Sequence, residues 1–408
     1  MSGTSNITTL NKPTTGRSAE RARDVRLDFF RGIGMFIIFI SHMPGNYWAG
    51  WIPARFGFSD ATEIFVFCSG MASAIAFGAV FSLQGFWMGT ARVLYRCWQV
   101  YWAHIGSFIA ITAILIGINE WLGVGSKYVA QLNLLPFLDL NTSANLLGFL
   151  TLTYVPNYFD ILPMYLVILA MMPLVMAVSK LGRWPVFVFI LATYLIATTG
   201  HLEFPAEPWS DRKWFFHPLA WQLVFFTGFA FIMGWLPAPP INRTLVIIAI
   251  AVLAVMFPFK YFPLYQWLDP NEVIRSDLLT AMGKTHFRPL RYIHFLALAY
   301  VAYAAAGEGG KRLSQGWLTD ICRKVGQQAL ATFLVGLLLS RLGGIVLDYW
   351  GRDALTVSVV NLVGCALLVV TAYVVGWFKS APWAKSINHP AQKSKQTSSS
   401  QTSAQAAE

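Results

Sequence analysis

Residues 26–42 begin Arg26-Leu27-Asp28-Phe29-Phe30-Arg31-Gly32 and continue as a mostly apolar run that ends at Ser41-His42. The run has the composition of a membrane-spanning helix, yet it also carries an acid, bases and a histidine. At 100° per residue, Arg31 and His42 lie about 20° apart around a helix, and Asp28 lies roughly 40° from His42. The helical rise separates Arg31 from His42 by about 16 Å. One helix face therefore carries polar groups through much of a membrane.

Spacing alone leaves two interpretations of this face open. In the first, Asp28 and Arg31 form a pair near one membrane surface, the arginine reaches out to that surface, and His42 is an interfacial histidine. In the second, these residues are functional, because a charge at bilayer depth costs several kcal/mol. His42 is then a general base near neutral pH, and Arg31 holds a phosphate or a polarised carbonyl.

The composition indicates an all-α polytopic membrane protein. The 408 residues are 56% hydrophobic and 12% charged, whereas soluble domains average about 25% charged residues. In a soluble protein the net charge of +11 would suggest nucleic acid as a partner, but here the basic residues follow a membrane topology and no nucleic acid is expected. The four cysteines form no Cys-x-x-Cys pair, so neither a metal site nor a redox site is predicted.

The apolar segments predict about ten membrane spans, at residues 27–44, 62–82, 98–119, 161–179, 184–200, 219–236, 243–259, 292–306, 327–347 and 355–378. Two further segments, 83–97 and 145–154, are predicted to be interfacial. Most of the 30 lysines and arginines fall on one side of this topology, which predicts that both termini are cytoplasmic. Residues 1–25 are then a basic cytoplasmic segment, 26–380 the transmembrane domain, and 381–408 a disordered tail.

Asp60 and Glu63 precede the second span and suit two roles. Asp60 is placed to cap a helix, and Glu63 three residues later is placed to reach back as in a capping box. Glu63 also lies on the same outer side as His42, where a carboxylate can orient an imidazole and raise its basicity. We therefore keep both as candidate catalytic residues. Within the second span, Gly70, Ala74 and Gly78 predict a close-packing face.

Arg92 and Arg96 are four residues apart and precede a run of aromatic residues. One interpretation makes them positive-inside anchors at the membrane face. The other makes them a clamp on the phosphates of a cytoplasmic acyl-coenzyme A, since guanidinium groups suit phosphate geometry.

Polar and aromatic residues also cluster on the predicted outer side, where they suit a sugar-binding cleft or an interfacial belt. The candidates for contact with a sugar are Asn157, Asp160, Trp221, Gln222, Arg288, Arg291 and His294. Arg288 or Arg291 is also a candidate to hold the free carboxylate of a succinyl group through a bidentate pair.

Several common motifs are missing from the sequence. It has no Gly-x-x-x-x-Gly-Lys-Ser/Thr loop, no His-Glu-x-x-His and no Gly-x-Ser-x-Gly. These absences disfavour ATP-driven transport, zinc hydrolysis and a standard serine esterase.

The opening helix resembles that of the acyltransferase-3 superfamily. Several later blocks are similar to the OpgC family, namely His42 to Asn46, Phe56 to Gly70, Pro156 to Tyr165, His217 to Gln222 and Arg288 to Tyr300. The resemblance runs from about residue 24 to 380. OpgC proteins are inner-membrane succinyltransferases of osmoregulated periplasmic glucans.

This resemblance implies that His42 is the essential catalytic histidine and that Arg31 belongs to the acyl-donor site. For Asp28, a pair with Arg31 and a direct part in donor binding both stay open. It implies a bacterial inner-membrane enzyme with an acyl-coenzyme A donor, a periplasmic glucan acceptor, surrounding lipid and no bound cofactor. The opposing hypothesis is a transporter or flippase for a glycan or a lipid-linked substrate, since intramembrane ionisable residues also mark transport pathways. We find no inverted repeat that would favour it.

Overall fold

A computed structural model describes residues 24–139, 142–269, 280–313 and 316–385. The described part is 76% helical and contains no strand. The longer helices of the described part are α1 (Val25–His42), α2 (Ala61–Ser73), α3 (Phe86–Leu122), α4 (Ile161–Val178), α5 (Arg183–Thr198), α6 (Pro218–Met233), α7 (Arg243–Met256), α8 (Pro289–Ala306), α9 (Trp317–Gln327), α10 (Ala329–Trp350) and α11 (Ala354–Lys379).

Shorter helical segments connect these helices. The α-helical ones are Ala79–Leu83, Lys127–Ala130, Leu135–Asp139, Thr142–Leu150, Phe262–Leu268 and Pro382–Lys385. The 3₁₀ turns are Tyr47–Trp51, Pro53–Arg55, Ser179–Leu181 and Glu308–Leu313. A π-helical turn, Ala74–Gly78, joins α2 to Ala79–Leu83, so that one continuous segment runs from Ala61 to Leu83.

The prediction of ten spans is wrong in number. A helix lies at each of the ten predicted positions, but in the described part of the chain only five are long and apolar enough to cross a membrane: Ala61–Leu83, Phe86–Leu122, Ile161–Leu181, Ala329–Trp350 and Ala354–Lys379. Three others, α5, α6 and α7, have 16, 16 and 14 residues, whereas a full span needs about 20. Charged residues in α1 explain why it falls outside the five. The apolar helices nevertheless indicate a membrane protein.

Two helix assignments differ from the sequence prediction. Residues 86–97, within the segment expected to be interfacial, form the first three turns of the 37-residue helix α3. Helix α9 lies between two predicted spans, where the sequence analysis predicts no helix. Exposure falls along its 11 residues, from the exposed Trp317 and Leu318 to the buried Val325 and Gly326.

Glycines bring α1 close to α9, and α2 close to α6. A Cβ on Gly32 would strike the backbone of Cys322, and one on Gly326 would strike the backbone of Asp28. Likewise, a Cβ on Gly70 would strike the Phe225 carbonyl. The predicted close-packing face of the second span is therefore confirmed at Gly70. Helix α1 also packs against α2, and together they position the site described below.

Parts of the predicted domain boundaries lie outside the described residues. The basic segment 1–25 is described only from Asp24, where the Asp24 side chain accepts a hydrogen bond from the Arg26 amide and caps α1. The predicted tail, 381–408, is described only to residue 385.

Candidate active site

A cavity of about 240 Å³ surrounds His42 at the C-terminal end of α1. We call it the His42 cavity. Its walls come from α1, α2, α4 and α10 and from three loops, and its lining residues are Ile38, His42, Thr62, Phe65, Tyr158, Asp160, Ile161, Phe215, Phe216, Lys284 and Phe333. Most of these are apolar, so the few polar groups decide what the cavity can do.

The imidazole of His42 is oriented by its own helix. Its Nδ1 lies 2.8 Å from the carbonyl oxygen of Ile38, one turn earlier. Because a carbonyl oxygen can only accept a hydrogen bond, Nδ1 carries the proton in this arrangement and Nε2 keeps its lone pair. The Tyr158 ring packs edge-to-face on the imidazole, with ring centroids 5.0 Å apart. Nε2 is thus the basic atom of this histidine.

Tyr158 is itself held firmly in an uncommon backbone conformation. Its φ is +84°, which side-chain-bearing residues rarely adopt and which concentrates at functional sites. Its hydroxyl donates to the Leu337 carbonyl at 2.8 Å and lies 2.5 Å from Ser340 Oγ. The Arg341 guanidinium lies over the ring, 3.9 Å from its centroid. These contacts fix the tyrosine that positions His42.

Asp160 presents a carboxyl oxygen that no other group uses in the described part of the chain. One oxygen, Oδ2, accepts a hydrogen bond from the Tyr158 amide at 3.1 Å. The other, Oδ1, is buried and has no hydrogen-bond partner within the described residues. Burial raises the pKa of Asp160 to about 7, against a smaller opposing effect of Arg212. This side chain lines the His42 cavity, so it has a free site for a hydroxyl group.

Lys284 is a charged residue of the His42 cavity that the sequence analysis did not single out. Its Nζ lies 2.6 Å from Oδ2 of Asp60, and it lines the cavity although it sits in a loop far along the chain. Burial alone would raise the pKa of Asp60, but the charge of Lys284 and then that of Arg291 hold it well below its usual range. No local motif around Lys284 indicated this role.

Residues expected to contact a sugar instead hold the loop that carries Lys284. Trp221 is fully buried, and its indole N–H donates to the Lys284 carbonyl at 2.9 Å. The His217 amide donates to the Thr285 carbonyl at 3.0 Å. Arg291 donates from Nε to the Met282 carbonyl at 3.2 Å. Trp221 and Arg291 therefore position Lys284 and do not line the cavity.

Asp60 and Glu63 form the predicted capping box of α2. The Asp60 side chain accepts from the Thr62 amide at 2.7 Å, and Glu63 Oε2 accepts from the Asp60 amide at 2.8 Å. Glu63 is fully buried and its Oε1 lies 2.6 Å from Nη1 of Arg291. Among the described hydrogen bonds none joins Glu63 to His42, so the expected orientation of the imidazole by this carboxylate is corrected. Ile38 and Tyr158 orient it instead.

The other outer-side candidates also take structural positions. Asn157 Oδ1 accepts from Arg212 at 3.1 Å. Gln222 is fully buried and donates to the Ile190 carbonyl at 2.8 Å. His294 is buried, with its Nδ1 2.7 Å from Ser59 Oγ. Arg288 is the N-cap residue of α8. Of the seven predicted sugar contacts, the structure brings only Asp160 to the His42 cavity.

A second cavity of about 850 Å³ lies at the other end of the same face of α1. We call it the Arg31 cavity. Four cations line it and, within the described part of the chain, no carboxylate does: Arg31, Arg92, Arg96 and Lys379. Small and aliphatic residues form part of its walls, and aromatic and amide side chains form another part, namely Phe77, Tyr95, Trp98, Trp102, Tyr165, Gln99, Gln327 and Gln328. Asp28 is buried beside this region but is not among the lining residues.

The two cavities share helices and are offset along them. On α2 the His42 cavity is lined by Phe65 and the Arg31 cavity by Ser69, one turn further on. Helix α4 repeats this offset with Ile161 and Tyr165. The rings of Phe65 and Phe333, which line the His42 cavity, stack with centroids 5.8 Å apart. Ser69, one turn after Phe65, and Leu334, next to Phe333, line the Arg31 cavity.

In the described part of the chain, no group of three or more His, Cys, Asp or Glu residues is arranged to hold a metal ion. A family model described as OpgC protein matches residues 23–380. No curated protein and no solved structure matches the chain. The matched region includes both cavities.

Proposed function

This chain belongs to the OpgC family, which implies a succinyltransferase role in glucan modification, and on that premise we propose the following reaction. The protein transfers a succinyl group from cytoplasmic acyl-coenzyme A to a hydroxyl of a periplasmic glucan. It does so within the bacterial inner membrane, with both termini in the cytoplasm. His42 is the general base.

The observation that carries this proposal is the pair of cavities on one helix face. A cation-lined cavity at Arg31 suits an anionic donor, and a small cavity at His42 suits the chemistry. Arg31 and His42 are about 16 Å apart by helical rise, a distance that an extended thioester-bearing arm can cover. A donor held at one end can therefore deliver its acyl group to the other.

Coenzyme A fits the chemistry of the Arg31 cavity. Its phosphates would pair with Arg31, Arg92 and Arg96, because guanidinium groups bind phosphates strongly and with geometric specificity. Its adenine would stack on an aromatic side chain such as Trp98 or Trp102, both of which line the cavity. This favours the donor-clamp hypothesis for Arg92 and Arg96 over simple membrane anchoring.

The proposed chemistry is a direct acyl transfer. Nε2 of His42 takes the proton of a glucan hydroxyl as its oxygen attacks the thioester carbonyl carbon. The new C–O bond forms, the C–S bond breaks, and the coenzyme A thiolate leaves with the proton that His42 returns. Asp160 offers its free oxygen to a neighbouring hydroxyl of the same sugar and thereby positions the acceptor.

Between the two cavities, the arm of the donor must pass the stacked rings of Phe65 and Phe333. We propose that these rings part when the donor enters and close behind the thioester. In the resting state they separate the His42 cavity from the Arg31 cavity, which limits the access of water to the thioester.

The test is acyl transfer in membrane vesicles that contain the protein. Labelled succinyl-coenzyme A supplied on the cytoplasmic side should esterify enclosed glucan. The double variant Arg92→Ala/Arg96→Ala should raise KM for the donor with little change in kcat, whereas Arg183→Ala, outside the cavity lining, should change neither. A vesicle that moves glucan across the membrane without forming an ester would instead indicate a transporter.

A further inference from the structure

We propose that Lys284 binds the free carboxylate of the succinyl group and so makes the enzyme selective for a dicarboxylic acyl donor. This inference rests on the proposed acyl transfer and deepens it. It transfers the role first considered for Arg288 or Arg291 to a residue that lines the reaction cavity.

Lys284 lines the cavity in which the acyl group would react. Of the residues that line the His42 cavity in the described part of the chain, Lys284 is the only lysine or arginine. A carboxylate that enters a small and mostly apolar cavity loses much of its hydration, which costs several kcal/mol unless a cation compensates. A succinyl group with its carbonyl at His42 has its carboxylate only a few bonds away, within the same cavity.

The ammonium group of Lys284 has more N–H donors than its pair with Asp60 requires. A lysine has three N–H donors, and Asp60 accepts one from Lys284 at 2.6 Å. The Nζ also lies 5.4 Å from the ring centroid of Phe216 and 5.9 Å from that of Phe215, and both rings line the cavity. A substrate carboxylate would exchange these weak cation–π contacts for a charge-assisted hydrogen bond.

Lys284 is held in position by both its backbone and its side chain. The backbone of Lys284 is anchored by the indole of Trp221, and its ammonium is anchored by Asp60. Lys284 is therefore oriented before the donor arrives, so that binding does not have to order a flexible side chain.

The neighbouring arginines are used elsewhere. Arg291 pairs with the buried Glu63, and Arg341 stacks on Tyr158. Neither lines the His42 cavity. A carboxylate bound at either arginine would therefore lie outside the cavity that holds His42.

The experiment compares succinyl-coenzyme A with butyryl-coenzyme A, an acyl donor that lacks the carboxylate, in vesicles that contain enclosed glucan. Lys284→Met should lower kcat/KM for the succinyl donor by about 10- to 100-fold, as expected for loss of a charged hydrogen bond. Transfer from the butyryl donor should stay within about threefold or improve, because the cost of desolvating a cation near an apolar chain is removed.

Two further variants keep this test decisive. Lys284→Arg should preserve the preference for the succinyl donor. The double variant Lys284→Met/Asp60→Asn removes both charges of the pair, so it keeps the ratio of the two donors measurable if the single variant folds poorly. Lys127→Met, which removes an exposed ion pair with Asp348, should leave the ratio unchanged.

The proposal would be overturned if Lys284→Met left the ratio of kcat/KM for the two donors unchanged. An equal fall with both donors would mean that Lys284 acts on a group that both donors share. If the wild-type protein transfers neither acyl group, the proposed function itself fails and the role of Lys284 fails with it.

Discussion

Nδ1 of His42 lies 2.8 Å from the carbonyl oxygen of Ile38, one turn earlier on the same helix. This contact determines which ring nitrogen can act as a base. This backbone carbonyl fixes the tautomer and the orientation of the ring, as a carboxylate does in many catalytic histidine sites. The imidazole is therefore oriented without an adjacent acid.

His42→Ala should lower kcat for glucan esterification by about 10²- to 10⁴-fold, the usual contribution of a general base. Donor binding should change little, because the Arg31 cavity is lined by other residues. Initial rates with labelled succinyl-coenzyme A measure the first effect, and the donor KM reports the second. His201→Ala is the matched control, since His201 is exposed and lines neither cavity. Full activity in His42→Ala would rule out the proposed base.

The raised pKa of Asp160 predicts that the free energy of unfolding depends on pH. Burial raises the pKa of Asp160 from 3.8 to about 7, so the folded protein holds this proton more tightly than the unfolded chain does. The stabilising contribution is complete below about pH 4, is lost as the pH rises through about 7, and then stays constant.

The measurement is the thermal unfolding midpoint in detergent between pH 5 and pH 8. Asp160→Asn cannot titrate at this position, so its midpoint should fall less over this range than that of the wild type. Parallel pH profiles for the two proteins would contradict the assignment.

The sequence predicted the shared face of α1 but not all that surrounds it. Arg31 and His42 line separate cavities on that face, as helical spacing suggests. The angle between two residues of one helix depends only on how far apart they are in the sequence, at 100° per residue. Lys284, by contrast, meets Asp60 across 224 positions of sequence, and no periodicity reveals such a pair.

The sequence could not place the other outer-side candidates for a different reason. The same aromatic or amide residue types occur near a membrane surface whether they bind a sugar or support a loop, so the sequence does not separate the two roles. Trp221 and Gln222 are both fully buried and bond to backbone carbonyls. Only the three-dimensional contacts distinguish these roles. The number of spans differed for a related reason, because an apolar helix of only 16 residues such as α6 can be buried among its neighbours in a bundle.

The buried pair of Glu63 and Arg291 predicts a structural role rather than a catalytic one. Glu63→Gln should lower stability by about 3–5 kcal/mol, because it leaves the guanidinium without a compensating charge. The double variant Glu63→Gln/Arg291→Met should recover part of this loss. Thermal unfolding measures both, and Arg352→Gln, which breaks an exposed pair with Asp348, should cost at most about 1 kcal/mol.

Activity per folded molecule separates the two roles of Glu63. If Glu63→Gln lost transfer without losing stability, the carboxylate would act on His42 after all, as the sequence pattern first suggested.

The stacked rings of Phe65 and Phe333 predict a coupling between transfer and water exclusion. Phe65→Ala removes one ring from the boundary between the two cavities, so water should reach the thioester more easily. We expect more coenzyme A to be released for each glucan ester formed, together with a stability loss of about 3–5 kcal/mol from the truncated ring. Free thiol and esterified glucan, measured in the same vesicles, give this ratio. Phe108→Ala is the matched control, because Phe108 is equally buried but lines neither cavity. It should lose stability without changing the ratio, and an unchanged ratio in Phe65→Ala would mean that these rings do not separate the donor from water.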